Sequence, residues 1–346
     1  MKKCFAILLS FAIMTFDSCK ESSNDTDDLK PEVSTLDVTG IGVNSAVFNG
    51  RASLPKTIEN DFQIGFEVST DRFFNEEATE KYCISDYDGE ELFSLTFRRL
   101  HPETQYYVRA YMQNRMVLYF GEIKTFSTEQ WSPMYVDLGL SVKWANCNVG
   151  ALSPEDYGDY FAWGETEPYY SSQIPIIWKE GKSSGYAWTS YAFYKGSYSK
   201  ISKYCTNSSA GVVDNKTILD PEDDAACANW GGKWRMPTYA EFDELRNAEN
   251  CEWIWFAKDN SEYNGIPGYE VRSIKEGFTG NSIFLPAAGF RIDSGLDNAG
   301  NYGYYSSSSL LEHGSLNAWY MYFYSGSCYM NYCNRSYGLS VRPVCE

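Results

Sequence analysis

A small all-β sandwich followed by a larger α+β domain is the architecture this sequence predicts, and three observations predict it. From Leu29 to about Thr128, short runs of alternating apolar and polar residues recur with turn residues between them, a pattern that is strand throughout. Across Glu129 to Met134, a stretch holding Trp131 and Pro133, the composition changes to Trp- and Gly-rich, as at a linker between domains. Beyond it, two short segments carry helix-capping signals among strand-like runs.

Taken in order, the chain opens with an export signal. Lys2 and Lys3 precede an apolar run, Phe5 to Phe16, too short to span a bilayer and stop there. Phe16-Asp17-Ser18-Cys19 resembles a bacterial lipobox, so Cys19 is the expected lipidated N-terminus of a mature chain anchored to the membrane rather than spanning it. Residues 20–30, with Lys20-Glu21 followed by Asp25, Asp27 and Asp28, read as an acidic tether and resemble the signal that sends lipoproteins of Bacteroidota to the outer face of the outer membrane. The 346 residues suit two domains, and hydrophobic residues at 43% supply enough apolar area for two cores. A formal net charge of -17 would repel phosphate backbones, which argues against a nucleic-acid partner.

Within residues 31–128 the strand-like runs are Ser45 to Gly50, Ile64 to Ser69, Leu92 to Phe97 and Gly121 to Thr128. The segment Leu100-His101-Pro102-Glu103-Thr104-Gln105-Tyr106-Tyr107-Val108-Arg109-Ala110 resembles the fibronectin type III family, whose pattern places a tyrosine at the corner between sheets; Tyr106 takes that position. Nothing in this part gathers catalytic side chains, and its expected role is that of a spacer.

In residues 135–346, Tyr135 to Ala145 reads as strand, turn and strand, and Tyr157 to Tyr204 as long loops with short strands. At Asp220-Pro221-Glu222-Asp223-Asp224-Ala225-Ala226, an Asp in the capping position precedes Pro at the first helical position and acids fill the first turn, with a stop at Gly231-Gly232. A second helix starts at Thr238, where Glu241 completes a capping box, with Phe242 and Leu245 on one face. Gly268 to Ser273 and Ser282 to Arg291 return to strand, and Gly303 to Ser309 is Ser-rich and turn-like.

The segments VDLGLSVKWANCNVGA, YGDYFAWGET, PEDDAACANWGGKWRMPTYAEFDEL, NSIFLPAAGFR, GYYSSSS and SVRPV together resemble the Fibrobacter-type major paralogous domain of exported Bacteroidota lipoproteins. The D-A-A-x-x-x-W-x-G-x-x-x-R-x-P-T-x-A-E-F core also resembles the formylglycine-generating superfamily. That resemblance implies a C-type-lectin-like fold with two helices, a small central sheet, long loops and chain ends that meet in the sheet. It also allows Cys147 and Cys345 to be bridged. Tyr305 departs from the family pattern, which has tryptophan there.

Between Tyr324 and Tyr337 nearly every side chain is Tyr, Ser, Asn, Cys, Gly or Arg, a set that offers flat aromatic area and adaptable hydrogen bonds at low entropic cost. The expected contacts with a protein or glycan ligand are the exposed members of Tyr304, Tyr305, Tyr320, Tyr322, Tyr324, Tyr329, Asn331, Tyr332, Asn334, Arg335 and Tyr337. Similar folds with such a last segment occur as the variable proteins of diversity-generating retroelements. Every residue from Tyr324 to Tyr337 except Met330 is reachable from the codon AAC by changing its adenines.

Cys328 and Cys333 resemble the copper-binding pair of formylglycine-generating oxidases; a local disulfide or two free thiols are the plainer readings. Calcium-dependent sugar binding lacks its motifs, with Glu165-Thr166-Glu167-Pro168 a poor substitute, and the acids at Asp220, Glu222, Asp223 and Asp224 are read as helix capping rather than a calcium cluster. Only two histidines, His101 and His313, occur, and no cysteine stands in a CxxC pair, so neither a zinc site nor a Ser/His/Asp set is expected. The sequence points to a non-enzymatic protein without a cofactor.

Overall fold

The computed structural model describes residues 31–53, 62–84, 91–98, 100–114, 117–197 and 200–346. The segments expected to be an export signal and an acidic tether, with Cys19 between them, lie outside the described residues. The chain divides into two compact units, Met1–Trp131 and Ser132–Glu346, with the division inside the Glu129 to Met134 stretch.

The first unit contains β1 (Glu32–Thr35), β2 (Ser45–Ser53), β3 (Gln63–Ser69), β4 (Thr79–Cys83), β5 (Leu92–Arg98), β6 (Gln105–Gln113), β7 (Leu118–Phe120) and β8 (Lys124–Ser127). They form two antiparallel sheets, one in the order β1-β2-β5 and one in the order β4-β3-β6-β7, with β8 joining the other half of β6. The alternation of β2 drives this layering: Ala46, Phe48 and Ala52 turn inward while their neighbours stay at least partly solvated. Phe48 stacks on Phe97 at 5.6 Å and tilts against Phe66 and Phe126, each at 5.7 Å, so rings from both sheets fill the space between them.

The Tyr106 hydroxyl accepts a hydrogen bond from the His101 N–H at 2.9 Å, which closes the corner before β6, and burial raises the pKa of its phenol. Val108 and Ala110 are buried on the inner face, while Arg109 lies opposite Glu67 on β3 and donates to Glu67 Oε2 through Nη2 at 2.8 Å and Nε at 3.0 Å. The first unit is thus a fibronectin type III-like sandwich. Replacing Tyr106 by Phe removes the acceptor of the part-buried His101 N–H, and the expected loss is about 1–2 kcal/mol of stability in this unit. Hydrogen exchange of its strand amides checks this; unchanged protection would show that the corner is held by packing alone.

The second unit begins with β9 (Tyr135–Val136) and β10 (Lys143–Ala145), followed by β11 (Tyr160–Phe161), β12 (Tyr170–Gln173), β13 (Ile176–Trp178), β14 (Cys251–Phe256), β15 (Gly268–Ser273) and β16 (Ser282–Pro286). After these come β17 (Phe290–Ile292), β18 (Gly295–Asp297), β19 (Tyr302–Leu310), β20 (Asn317–Tyr324), β21 (Ser327–Asn334), β22 (Leu339–Ser340) and β23 (Val344–Cys345). Its two ends meet: β10 lies between β23 and β9, with Trp144 opposite Val344 on one side and Val136 on the other. The largest sheet runs β11-β22-β19-β20-β21, and a second, β14-β15-β16, packs with the helix Tyr239–Leu245 on one of its faces. β14 was not foreseen from the sequence, although its Cys-Glu-Trp-Ile-Trp-Phe run has the strand composition.

Helix α1 spans Ala225–Trp230, and its start corrects the expected one. Asp220 does not cap it; Pro221–Asp223 forms a separate 3-10 turn. The cap is Asp224, buried, whose carboxylate accepts from the N–H groups of Ala226 (2.9 Å), Cys227 (3.0 Å) and Met236 (2.8 Å). Asp224 can reach three backbone donors at once, whereas the Asp220 carboxylate is engaged by lysines. The expected stop holds, with Gly231 at φ 63°. Helix α2, Tyr239–Leu245, carries the expected capping box between Thr238 and Glu241, and its Phe242 and Leu245 are buried.

The stretch read as turn-like, Gly303 to Ser309, is instead part of β19, in the interior of the large sheet. Its serines are buried there because a small hydroxyl can return a hydrogen bond to a nearby carbonyl: Ser307 Oγ donates to Trp319 O at 2.9 Å. Gly303 lies opposite Phe323, whose ring covers it; a Cβ at this position would fall 2.1 Å from that ring.

Candidate functional site

The register of β19, β20 and β21 decides which tyrosines can meet a ligand, because residues directly opposite one another share a face. Tyr302 and Tyr304 on β19 lie opposite Tyr324 and Tyr322 on β20, and Tyr322 and Tyr320 lie opposite Tyr329 and Asn331 on β21. One face therefore carries Tyr302, Tyr304, Tyr320, Tyr322, Tyr324 and Tyr329. The other carries Gly303, Tyr305, Met321, Phe323, Cys328 and Met330, and its Tyr305, Met321 and Phe323 are buried against α2 and β14 to β16.

Tyr322 is the centre of the tyrosine face. Its ring centroid lies 4.9 Å from Tyr329, 5.0 Å from Tyr304, 5.7 Å from Tyr302 and 6.0 Å from Tyr324. Phe290 on β17 packs on Tyr304 at 4.7 Å and on Tyr337 at 5.8 Å, bordering the face, and the Asn298 amide donates to the Tyr304 hydroxyl at 3.2 Å. Burial raises the pKa of the Tyr304, Tyr320 and Tyr322 phenols, so they stay neutral hydroxyls. Tyr324 and Tyr329 are 36% and 39% exposed. The result is a flat aromatic plate with neutral donor and acceptor groups at its surface.

The expected contact residues divide accordingly. Tyr304, Tyr322, Tyr324 and Tyr329 belong to this plate, and Tyr320 lies buried in it beneath Tyr304. Tyr337 flanks it through Phe290. Asn331 faces the same side from the edge strand, while Asn334 closes the end of β21, its carbonyl accepting from the Tyr337 N–H at 3.1 Å. Tyr332 is half exposed but on the opposite face, edge-on to Trp319 at 5.7 Å. Tyr302, Phe290 and Asn298 were not foreseen; the two-residue spacing of Tyr302 and Tyr304 was the signal for the first.

Two of the expected contacts are framework. Tyr305, with no exposure, donates from its hydroxyl to Pro286 O at 2.8 Å. Arg335, 1% exposed, donates from Nε to the Tyr191 hydroxyl at 2.9 Å and from Nη1 to Ser315 O at 3.0 Å and Lys203 O at 3.1 Å. Its guanidinium lies 4.6 Å from the Trp163 ring centroid and is also surrounded by Tyr191, Phe193 and Tyr204, a cation–π box that binds the end of β21 to the loops.

The cysteine pair cannot act as a pair. Cys328 and Cys333 lie on one regular strand at odd separation, so their side chains point to opposite faces, roughly 17 Å apart along it. This excludes both the local disulfide and the two-thiolate copper site. Cys147 and Cys345 are free thiols, so they are not bridged. Burial pushes Cys147 and Cys251 up to about 11 and Cys328 and Cys333 up to about 12, which leaves little thiolate at neutral pH.

The acidic cluster also finds another explanation. Asp220, Glu222 and Asp223 converge within 4.8 Å, and the Lys203 ammonium bonds all three, at 2.9 Å to Asp220 and 3.4 Å to Glu222. Lys216 adds a second ammonium 2.5 Å from Asp220, whose carboxyl these lysines hold down at about 2. A lysine thus stands where the calcium reading would place a cation, and helix capping accounts for Asp224 alone.

Native protein at pH 7.5 should leave Cys147, Cys251, Cys328 and Cys333 unmodified by iodoacetamide, with all four labelled after unfolding, as read by peptide mass spectrometry. A disulfide-linked peptide from any of them would contradict the free-thiol assignment.

No family model matches the chain, and no curated protein matches it. Among solved structures, it is similar to the sensor domain of the anti-sigma factor RsgI4 of Pseudobacteroides cellulosolvens at 19% identity, over 30% of this chain and 93% of that one, with a TM-score of 0.24. A human fibronectin type III domain, from the KIAA0970 protein, is similar at 14% identity over 30% of this chain and 76% of that one, with a TM-score of 0.22. The third fibronectin III domain of human KIAA0343 is similar at 18% identity over 34% of this chain and 96% of that one, with a TM-score of 0.20.

Proposed function

We propose that this protein is an exported surface lipoprotein, lipidated at Cys19, whose second unit recognises a macromolecular ligand through the tyrosine face of its large sheet. The observation that carries the reading is that face. Six tyrosines from three adjacent strands converge with Tyr322 at their centre, and Tyr324 and Tyr329 are exposed. Exposed aromatic area of this kind, with neutral hydroxyls and few rotatable bonds, favours contact with a protein or a glycan over small-molecule chemistry. The fibronectin type III-like unit would act as a spacer above the membrane.

The paired chain ends, the two short helices and the long loops support a C-type-lectin-like reading of the second unit. Diversification by a retroelement is part of the same proposal. It would act on the exposed positions of Tyr324 to Tyr337, while Arg335 would have to stay constant because its buried box admits no substitute of another shape.

Screening the purified chain on arrays of glycans and of bacterial surface proteins would supply a ligand. The variant Tyr322→Ala/Tyr329→Ala is then expected to bind it at least a hundredfold more weakly, with Tyr332→Ala within threefold of the unmodified chain. Binding that survives the double replacement would place the site elsewhere.

A further inference from the structure

Strand β21 ends the five-stranded sheet, and among the described residues only β20 pairs with it. Its eight residues pair without a bulge, and none is fully buried. Free strand edges are ordinarily blunted by a lysine, a proline, a bulge or a covering loop. Ser-Cys-Tyr-Met-Asn-Tyr-Cys-Asn contains no charge and no proline.

The direction of the free groups follows from the register. The Tyr332 N–H donates to the Asn331 side chain at 2.8 Å, so Tyr332 turns its backbone away from β20. Alternate residues of a ladder point the same way, which directs the N–H and C=O groups of Cys328 and Met330 outward as well. The turn after β21 closes the far end, where Asn334 O accepts from the Tyr337 N–H. What remains open is a row of alternating donors and acceptors from Cys328 to Tyr332, flanked by Tyr329 on the tyrosine face and by Met330 and Tyr332 on the other.

Only another extended backbone presents groups complementary to such a row along its whole length. A second copy of this chain is disfavoured, since each copy carries a formal charge of -17 and the two would repel. We propose that β21 receives an extended, non-acidic segment of a different polypeptide as a sixth, edge strand of the sheet. This inference rests on the reading of the second unit as a recognition domain and names its partner as protein. The added strand would alternate its side chains between Tyr329 and the Met330–Tyr332 side, so aromatic or β-branched residues at alternate positions fit best. The Asn331 amide oxygen now bonded to the Tyr332 N–H would yield that donor to the incoming carbonyl.

The test selects binders to the purified full chain from a library of random twelve-residue peptides and follows amide hydrogen exchange with the best of them. The expected result is exchange at Cys328 and Met330 slowed at least a hundredfold by the peptide, with Met330→Pro weakening binding at least tenfold. That proline removes an outward N–H, at a position an edge strand tolerates, together with a side chain packed against the core; the exchange measurement on the unmodified chain guards against a folding defect in it. Peptides that bind and depend on Tyr322 but leave both amides unprotected would overturn the edge proposal and leave the tyrosine-face reading intact. So would an absence of selected peptides beside binding on a glycan array. Protection of the same amides by self-association would make a second copy the occupant and overturn the proposal. Failure to bind peptides, glycans or its own copies would end both readings.

Discussion

The guanidinium of Arg342 lies fully buried in the second unit, and no ion pair among the described residues includes it. Its hydrogen bonds go to neutral oxygens: Nε to Asn148 Oδ1 at 2.8 Å, Nη1 to Ala145 O at 3.1 Å and Nη2 to Phe284 O at 2.8 Å. Burial disfavours the cation and lowers its pKa, and these acceptors offset part of that cost. Three segments distant in sequence thereby meet at one side chain. Those are the end of β10, strand β16 and the last residues before β23. Strand β16 in turn holds β19, because Pro286 O accepts from the Tyr305 hydroxyl. The tyrosine face stands on β19, so its placement follows from a clamp beside Tyr305, on the sheet's other face.

Tyrosine serves two purposes here, and the difference is environmental. In the loops from Tyr160 to Tyr191 the rings build a core of their own, with Tyr169 stacked on Tyr186 at 4.3 Å. Their hydroxyls satisfy carbonyls that no ladder reaches: Tyr160 donates to Ala288 O at 2.6 Å and Tyr191 to Trp163 O at 2.7 Å. A loop-rich unit has many such carbonyls, and a phenol buries apolar area while reaching one of them. A tyrosine-rich sequence is therefore not by itself a recognition sequence. On β19 to β21 the strand period of two separates the roles, with Tyr305 inward and Tyr304 outward.

Much of the fold was legible where local physics decides it. The capping box at Thr238 and Glu241, the glycine stop at Gly231 and the Tyr106 corner each depend on residues close in sequence. What was not legible depends on partners far along the chain. The choice of Asp224 over Asp220 as cap turns on Lys203 and Lys216, which draw Asp220 away. The strand character of Gly303 to Ser309 turns on Phe323 covering Gly303 and on buried carbonyls that accept from serine hydroxyls. Arg335 sits in a polar, tyrosine-rich run and reads as a contact residue; only its aromatic box, built from Trp163 to Tyr204, shows it to be framework. For the candidate site, composition identified the segment, and register was needed to separate its two faces.

The clamp at Arg342 joins the ends of the second unit and so positions the tyrosine face. All tryptophans except Trp131 lie in the second unit, so urea unfolding followed by tryptophan fluorescence reports its stability. Replacing Arg342 by Met keeps the bulk and strands three buried acceptors; the expected loss is about 3 kcal/mol or more. Arg342→Lys should recover only part of it, because one ammonium cannot span the fork of three oxygens. An Arg342→Met chain as stable as the unmodified one would show that packing alone joins the ends of the unit, and would contradict the account.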